Sequence, residues 1–307
     1  MSKKRDFLCL GDLSLDEART VLSLAASLKA APKGSHADKL RGRAIAVIME
    51  KASTRTRVSF EVGIAQLGGH PVVLSTQGSQ LGRGEPVHDT ARVLSRYCDA
   101  IVYRTFETSR LAEMARASVP VVNALSDDGH PVQILCDVFT IEETLRRRGD
   151  ARTIGDLTIA WVGDGSSNMA RSFVEAAGIF GFRLRIAAPE GYRPPASEVA
   201  GARGLVTLHD DPREALRGAL AVNTDVWTSM GQEAENEARM RAFAGWTVTE
   251  SMLKSAEPDA FVLHCLPAHR GEEIDDETIE GPRSVVWDQA ENRLHVQKAL
   301  LCFLLGV

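Results

Sequence analysis

Residues 45–57 read Ile45-Ala46-Val47-Ile48-Met49-Glu50-Lys51-Ala52-Ser53-Thr54-Arg55-Thr56-Arg57. An apolar run gives way to hydroxyls and guanidiniums. Val58, Phe60, Ile64 and Leu67 then recur at roughly helical spacing until Gly68-Gly69. This pattern predicts a buried strand passing directly into a helix. The N-terminus of such a helix offers unpaired backbone N–H groups and the positive end of a dipole, so it attracts an oxyanion. Ser53 or Thr54 can cap it, and Arg55 and Arg57 can grip phosphate oxygens in bidentate fashion. The plainer alternative is a capped helix with two surface arginines.

Outward from that stretch, short β-type runs recur at 44–49, 71–74, 100–103, 119–122, 158–162, 183–187, 204–208, 219–222, 260–264 and 284–287. Helical patterns occupy 16–30, 54–67, 88–97, 131–148, 168–180 and 212–218, with a last helix at about 290–305. Alternation of this kind predicts an α/β protein with mostly parallel sheets flanked by helices. The charged helix end Leu145-Arg146-Arg147-Arg148-Gly149-Asp150 reads as a hinge. It divides the chain into a domain of residues 1–146, rejoined by the terminal helix at 290–307, and a domain of residues 147–289. A chain of 307 residues is long enough for two such cores.

The formal charge of −5 gives no electrostatic reason to expect nucleic acid as a partner. Lys3, Lys4 and Arg5 are not followed by a long apolar segment, and no run approaches the length of a membrane span. Cys9, Cys98, Cys136, Cys265 and Cys302 are scattered and lack CxxC spacing, which argues for reduced thiols in a cytoplasm and against a zinc site. Most of them read as small core residues.

Polar groups cluster just beyond the apolar runs. Arg55 follows one run and Arg104 follows Ile101-Val102-Tyr103, while His130 and Gln133 come after Val121-Val122. The turn Gly163-Asp164-Gly165-Ser166-Ser167-Asn168 follows Trp161-Val162, Asp225 follows Val222, and Cys265 follows Val262-Leu263-His264. Arg293 comes soon after Val285-Val286-Trp287. Ligands of open parallel sheets bind beyond the carboxyl ends of the strands, so these groups predict one active-site cleft between two domains. Each cluster has a bland reading too. His130-Pro131 suits a helix start, and Asp225 and Ser229 suit helix caps. The Gly163 turn lacks the third glycine of a dinucleotide fingerprint, which weakens a nicotinamide reading and favours a close turn presenting Asn168. A nucleophilic Cys265 would want a base beside it, and strand alternation points His264 the other way. A thiol that orients or deprotonates an amine fits better than covalent catalysis.

Taken together, these motifs resemble the ornithine branch of the aspartate/ornithine transcarbamylase family from end to end. Ser53-Thr54-Arg55-Thr56-Arg57 resembles its carbamoyl-phosphate signature, and His130-Pro131-Val132-Gln133 its HPxQ element. Asp225-x-x-x-Ser229-Met230-Gly231 and His264-Cys265-Leu266-Pro267 resemble the motifs that separate ornithine from aspartate enzymes. Gln80-Leu81-Gly82-Arg83-Gly84-Glu85 resembles a loop that reaches a neighbouring subunit's active site, and Glu291-Asn292-Arg293 the last active-site element. Ser166-Ser167 departs from the Asn-rich turn often found there, Val132 replaces a common cysteine, and Ala52 a common proline.

The resemblance implies that residues 1–146 bind carbamoyl phosphate and residues 147–289 bind ornithine. Ser53, Thr54, Arg55 and Thr56 would hold the phosphate, with Gln80 supplied by an adjacent subunit of a homotrimer or a multiple of trimers. Arg104, His130, Gln133 and Arg293 would surround the carbamoyl group, with Thr56 also reaching its oxygen. Asn168, Asp225, Ser229 and Met230 would bind the amino-acid end of ornithine, and Cys265 and the backbone of Leu266 would lie by the carbamoyl group and the δ-amine. Arg104, His130, Cys265 and Arg293 would be the catalytic set. The implied reaction carries the carbamoyl group of carbamoyl phosphate to the δ-amine of L-ornithine. It gives L-citrulline and phosphate, as in arginine biosynthesis or a urea-type pathway, with no metal or organic cofactor. The rivals are a transcarbamylase for putrescine or an N-acylated ornithine, a nucleotide-binding oxidoreductase on the Gly163 turn, and a binding homologue without catalysis.

Overall fold

The computed structural model describes residues 4–76, 79–228 and 233–307. The chain forms two compact units, Met1–Cys136 with Glu291–Val307, and Asp137–Ala290. The first unit holds α1 (Leu15–Ala30), β1 (Ala44–Met49), α2 (Thr54–Gln66), β2 (His70–Ser75), α3 (Val87–Tyr97), β3 (Ala100–Arg104), α4 (Thr108–Met114) and β4 (Val121–Leu125). The helix α5 (Pro131–Arg148) then carries the chain into the second unit. That unit holds β5 (Thr158–Val162), α6 (Asn168–Phe180), β6 (Arg183–Ala187), α7 (Ala196–Gly201), β7 (Val206–His209), α8 (Pro212–Leu216) and β8 (Ala221–Thr224). It continues through α9 (Asn236–Ala242), α10 (Glu250–Leu253), β9 (Phe261–His264) and α11 (Asp276–Glu280), and α12 (Val286–Leu305) returns the chain to the first unit. The units therefore divide inside α5 and α12, with no loop at either boundary.

The first sheet has strand order β2-β1-β3-β4, and all its pairings are parallel. Strands covered on both faces read as unbroken apolar runs, which is why residues 45–49 of β1 are all buried. Ala46, Ile48, Ile101, Tyr103 and Val121 pack with Leu94 and Met114 on one face. Ser53 caps α2 by accepting a hydrogen bond from the Thr56 amide at 3.3 Å. At the far end, Gly68 takes φ +81°, and a Cβ there would stand 1.8 Å from the Ala37 carbonyl oxygen. Only glycine meets both demands.

The second sheet has order β7-β6-β5-β8-β9, again parallel throughout. Ala160, Val162, Val222 and Val262 pack against Val248, Leu253 and Ile274 on one side. The ring of Trp161 meets that of Phe173 at 5.8 Å. Ser167 caps α6 through the Ala170 amide at 3.2 Å. Gly163, at φ +129°, makes the turn out of β5.

One expectation needs correction. Residues 284–287 are not a strand: Ser284 makes a single bridge to Val262, and α12 begins at Val286, ahead of the expected 290. Most of the cysteines are core residues as expected: Cys98, Cys136 and Cys302 are buried, Cys265 is half-buried and Cys9 is exposed.

Candidate functional site

Each sheet reverses its winding direction once. In the first the reversal lies between β1 and β3, and in the second between β5 and β8. The loops leaving such a strand pair diverge to opposite faces, and the crevice between them is where open α/β sheets bind ligands. Ser53–Thr56 leave β1 while Arg104 ends β3, and the Gly163 turn leaves β5 while Asp225 leaves β8.

In the first unit, six side chains of the sequence-read site gather around this point. The Thr56 hydroxyl, 1% exposed, accepts from Arg293 Nη2 at 2.8 Å, Ser53 Oγ at 3.2 Å and Arg104 Nη1 at 3.4 Å. Arg104 also donates through Nε to the Lys51 carbonyl at 3.0 Å, and Arg293 donates to Gln133 Oε1. His130 is buried immediately ahead of α5, and Pro131 takes the first helical position, where a missing N–H leaves nothing unsatisfied. Burial, and then the charges of Arg293, Arg104 and Lys51, hold the His130 imidazole well below its ordinary pKa. It is therefore neutral, with one N–H to donate. The nearby acid, Glu50, is turned elsewhere: its carboxylate pairs with Arg110 and accepts from Thr105. Sequence reading did not foresee that pairing, which leaves the guanidinium cluster without a competing carboxylate from Glu50.

Arg55 is half-buried in the first turn of α2, and Thr54 is exposed beside it. Arg57 does not join them: it is exposed and pairs with Glu61 one turn on, at 3.4 Å. Gln80 is exposed at the start of a short turn of helix, Leu81–Arg83, and bonds to none of the six. The arrangement is a desolvated, positively charged pocket wall with several convergent donors, suited to a small dianion carrying a carbonyl.

In the second unit, Asp225 is buried, and its Oδ1 accepts from the Val226 amide at 2.9 Å and the Cys265 thiol at 3.2 Å. Burial pushes its carboxyl pKa up, against the opposing pull of His264 and the Cys265 and Val226 hydrogen bonds. His264 Nε2 faces Glu273 Oε1 at 2.9 Å, and its Nδ1 accepts from the Leu266 amide at 2.9 Å. The second bond fixes the tautomer, so Nε2 carries the proton and donates to Glu273. Glu273 Oε1 also accepts from the His269 amide at 2.7 Å.

Strand alternation pointed His264 away from Cys265, but one ligand atom from each of Asp225, His264 and Cys265 lies within 4.8 Å of the others. The strand ends at His264, and Leu266 turns to φ +60°, so the period of two no longer applies. Both imidazole nitrogens are already hydrogen-bonded outside the trio, to Glu273 and the Leu266 amide, while Cys265 donates to Asp225, so the three are not a ready metal-ligand set. Glu273, fully buried, was missed in the sequence, where it reads as half of an ordinary acidic pair with Glu272. Asn168 is the first residue of α6 and half-exposed. Ser229 and Met230 lie outside the described residues.

Residues 5–143 match the family described as aspartate/ornithine carbamoyltransferase, carbamoyl-P binding domain. Residues 155–304 match the family described as aspartate/ornithine carbamoyltransferase, Asp/Orn binding domain. The chain is 67% identical over 306 residues to an ornithine carbamoyltransferase of Sorangium cellulosum, covering 99% of this chain and 98% of that one. It is 53% identical over 308 residues to one from Pelobacter propionicus, covering 98% and 99%. Among solved structures, ornithine carbamoyltransferase from Pyrococcus furiosus aligns with TM-score 0.90 at 45% identity, covering 99% of this chain and 97% of that one. The Thermus thermophilus enzyme aligns with TM-score 0.89 at 41% identity, covering 98% and 99%.

Proposed function

The chain belongs to the aspartate/ornithine carbamoyltransferase family, and on that premise we propose how its residues carry out the ornithine carbamoyltransferase activity of its near relatives. The buried, cation-rich cluster around Thr56 is the observation that carries the carbamoyl-phosphate half. Ser53, Thr54, Arg55 and Thr56 hold the phosphate at the N-terminus of α2, where free amides and the dipole add to the guanidinium. Arg104, His130, Gln133 and Arg293 face the carbamoyl group. Neutral His130 donates one hydrogen bond to the carbamoyl oxygen, and the Arg104 guanidinium stabilises the negative charge that grows there as the amine attacks.

Asp225 carries the ornithine half. A buried carboxylate whose partners among the described residues are one amide and one thiol is ready for an ammonium group. With Asn168, Ser229 and Met230 it holds the amino-acid end, leaving the δ-amine near Cys265 and Leu266. That amine must be neutral to attack, and an alkylammonium titrates near ~10.4 in water. Desolvation and a nearby proton acceptor shift the balance towards the free base. The C–N bond then forms, the carbamoyl C–O bond to phosphate breaks, phosphate leaves with the electron pair, and the amine passes its proton to the departing phosphate. Arg55 neutralises the charge gathering on the departing phosphate.

The exposed position of Gln80 supports a trimer in which this residue serves a neighbouring subunit. The five free thiols support a cytoplasmic setting. Among the described residues no helix is long and apolar enough to cross a membrane. The test offers L-ornithine, putrescine, N-acetylornithine and L-aspartate in parallel with carbamoyl phosphate, to the parent, Arg55→Ala and Asp225→Asn proteins. Citrulline from ornithine is the expected product. Arg55→Ala should lose mainly carbamoyl-phosphate use, and Asp225→Asn mainly ornithine use. Equal losses for both substrates in either variant would overturn the assignment.

A further inference from the structure

Arg239 lies in α9, outside every motif singled out in the sequence, and is only 5% exposed. Its Nη1 donates to Asp164 Oδ2 at 2.6 Å and to the Trp227 carbonyl at 2.9 Å, and its Nε donates to Glu235 Oε2 at 3.0 Å. The guanidinium also stands over the Tyr192 ring, 5.1 Å from its centroid. Asp164 uses its other oxygen to organise its own turn, accepting from the Ser166 amide at 2.8 Å and the Ser166 hydroxyl at 2.6 Å. Trp227 stacks on Phe243 at 5.4 Å, and Phe243 meets Tyr192 at 4.9 Å, so the bonds lie within an aromatic cluster.

A single guanidinium therefore joins the two loops that diverge from the β5/β8 reversal. One loop leads from Asp164 to Asn168, and the other runs from Asp225 through Trp227. A buried ion pair is a poor source of stability, because the desolvation of both partners offsets their attraction. Its geometry is nevertheless rigid: two hydrogen bonds from one planar group fix the Trp227 carbonyl against the Asp164 carboxylate. Both bonds leave Nη1, whose direction is set by the guanidinium plane that the Nε bond to Glu235 holds; lysine carries the charge but lacks that plane.

We propose that Arg239 is a positioning residue for the amino-acid substrate, setting the separation of Asn168 and Asp225 by clamping the Trp227 carbonyl to Asp164. The proposal rests on the assignment of Asn168 and Asp225 to ornithine. A displacement of about 1 Å in a binding constellation can change rates by about 10²-fold, so loss of the clamp should be visible in kinetics.

The test compares Arg239→Lys with the double variant Asp164→Asn/Arg239→Gln, which leaves no unpaired buried charge. Steady-state kinetics are measured for both substrates alongside thermal unfolding, with Asp225→Asn in parallel. Both clamp variants should raise the ornithine KM by about tenfold or more while moving the carbamoyl-phosphate KM by less than about twofold. The double variant should do so with a Tm close to the parent's. A double variant with parental Tm and parental ornithine KM would show a structural pair only and overturn the proposal. So would equal rises in both KM values in Arg239→Lys. If Asp225→Asn leaves the ornithine KM unchanged, the site assignment fails and the positioning role fails with it. If Asp225→Asn raises that KM while the clamp variants do not, the positioning role fails alone.

Discussion

Arg293, in the last helix, donates to the Thr56 hydroxyl at 2.8 Å, joining residues 237 positions apart. The cationic wall begun at the N-terminus of α2 is therefore finished by α12. Three donors meet at the Thr56 oxygen. Thr56→Val keeps the volume and removes that shared acceptor, so Arg104 and Arg293 keep their bonds to the Lys51 carbonyl and Gln133 but lose their common anchor. Steady-state assays should show kcat reduced by about 10²–10³, the scale seen for one lost oxyanion-hole donor. A variant within threefold of the parent would disprove the shared-acceptor account.

Ser53 combines two roles that substitutions can separate. Its hydroxyl caps α2 and also donates to Thr56. Ser53→Ala should destabilise the protein by about 1 kcal/mol through the lost cap. Ser53→Asp keeps a good capping residue but sets a carboxylate where an anion should bind. Calorimetry should find its Tm near the parent's, while the carbamoyl-phosphate KM rises by about tenfold or more. Unchanged carbamoyl-phosphate binding in Ser53→Asp would remove Ser53 from the anion site.

Much of this fold is legible in the sequence because several levels of physics agree at the same residues. The stretch 45–57 is apolar where a parallel strand is covered on both faces, then supplies a cap, then turns to a helical period. The spans 158–162, 183–187, 131–148 and 168–180 are the elements observed. Agreement fails where tertiary packing overrides local preference. Val285-Val286-Trp287 is β-branched and aromatic, yet Val286 and Trp287 open α12 while only Ser284 bridges the sheet. Short helices such as Ala196–Gly201 and Asn236–Ala242 carry too few turns to show a period. Among site residues, those near strand ends could be found by position alone. Glu273 and Arg239 could not, since each matters through a partner, His264 or Asp164, that spacing cannot identify.

His295, on α12, should make the fold acid-sensitive. Burial, with Lys298 and Lys29 nearby and Glu291 opposing them, lowers its pKa from 6.5 to about 4. As pH falls below 6.5 the unfolded chain takes the proton first, so this group's contribution to stability is present above 6.5 and is lost towards about 4. At 1.36 kcal/mol per unit the loss is up to about 3 kcal/mol. Denaturant unfolding at neutral pH and near the lower limit should show His295→Gln losing less stability than the parent. Equal losses would place the acid sensitivity elsewhere.

Asp225 should behave with the opposite sign. Its folded pKa is raised above 3.8 by burial, so the folded protein holds this proton more tightly than the unfolded chain does. The resulting stabilisation is complete below 3.8 and is lost as pH rises through the folded value. Once ionised, the buried carboxylate is thus a burden on the free protein, and Asp225→Asn should be at least as stable as the parent at neutral pH. An ammonium beside Asp225 reverses this balance, because it favours the ionised carboxylate and lowers its pKa. Ornithine should therefore raise the parent's Tm at neutral pH and raise it less as acid protonates Asp225, whereas Asp225→Asn should show little ornithine-dependent shift at any pH. Thermal unfolding with and without ornithine, from acid to neutral pH, measures all three effects. If Asp225→Asn proves less stable than the parent at neutral pH and still gains a full ornithine shift, the carboxylate is structural and does not receive the substrate's ammonium group.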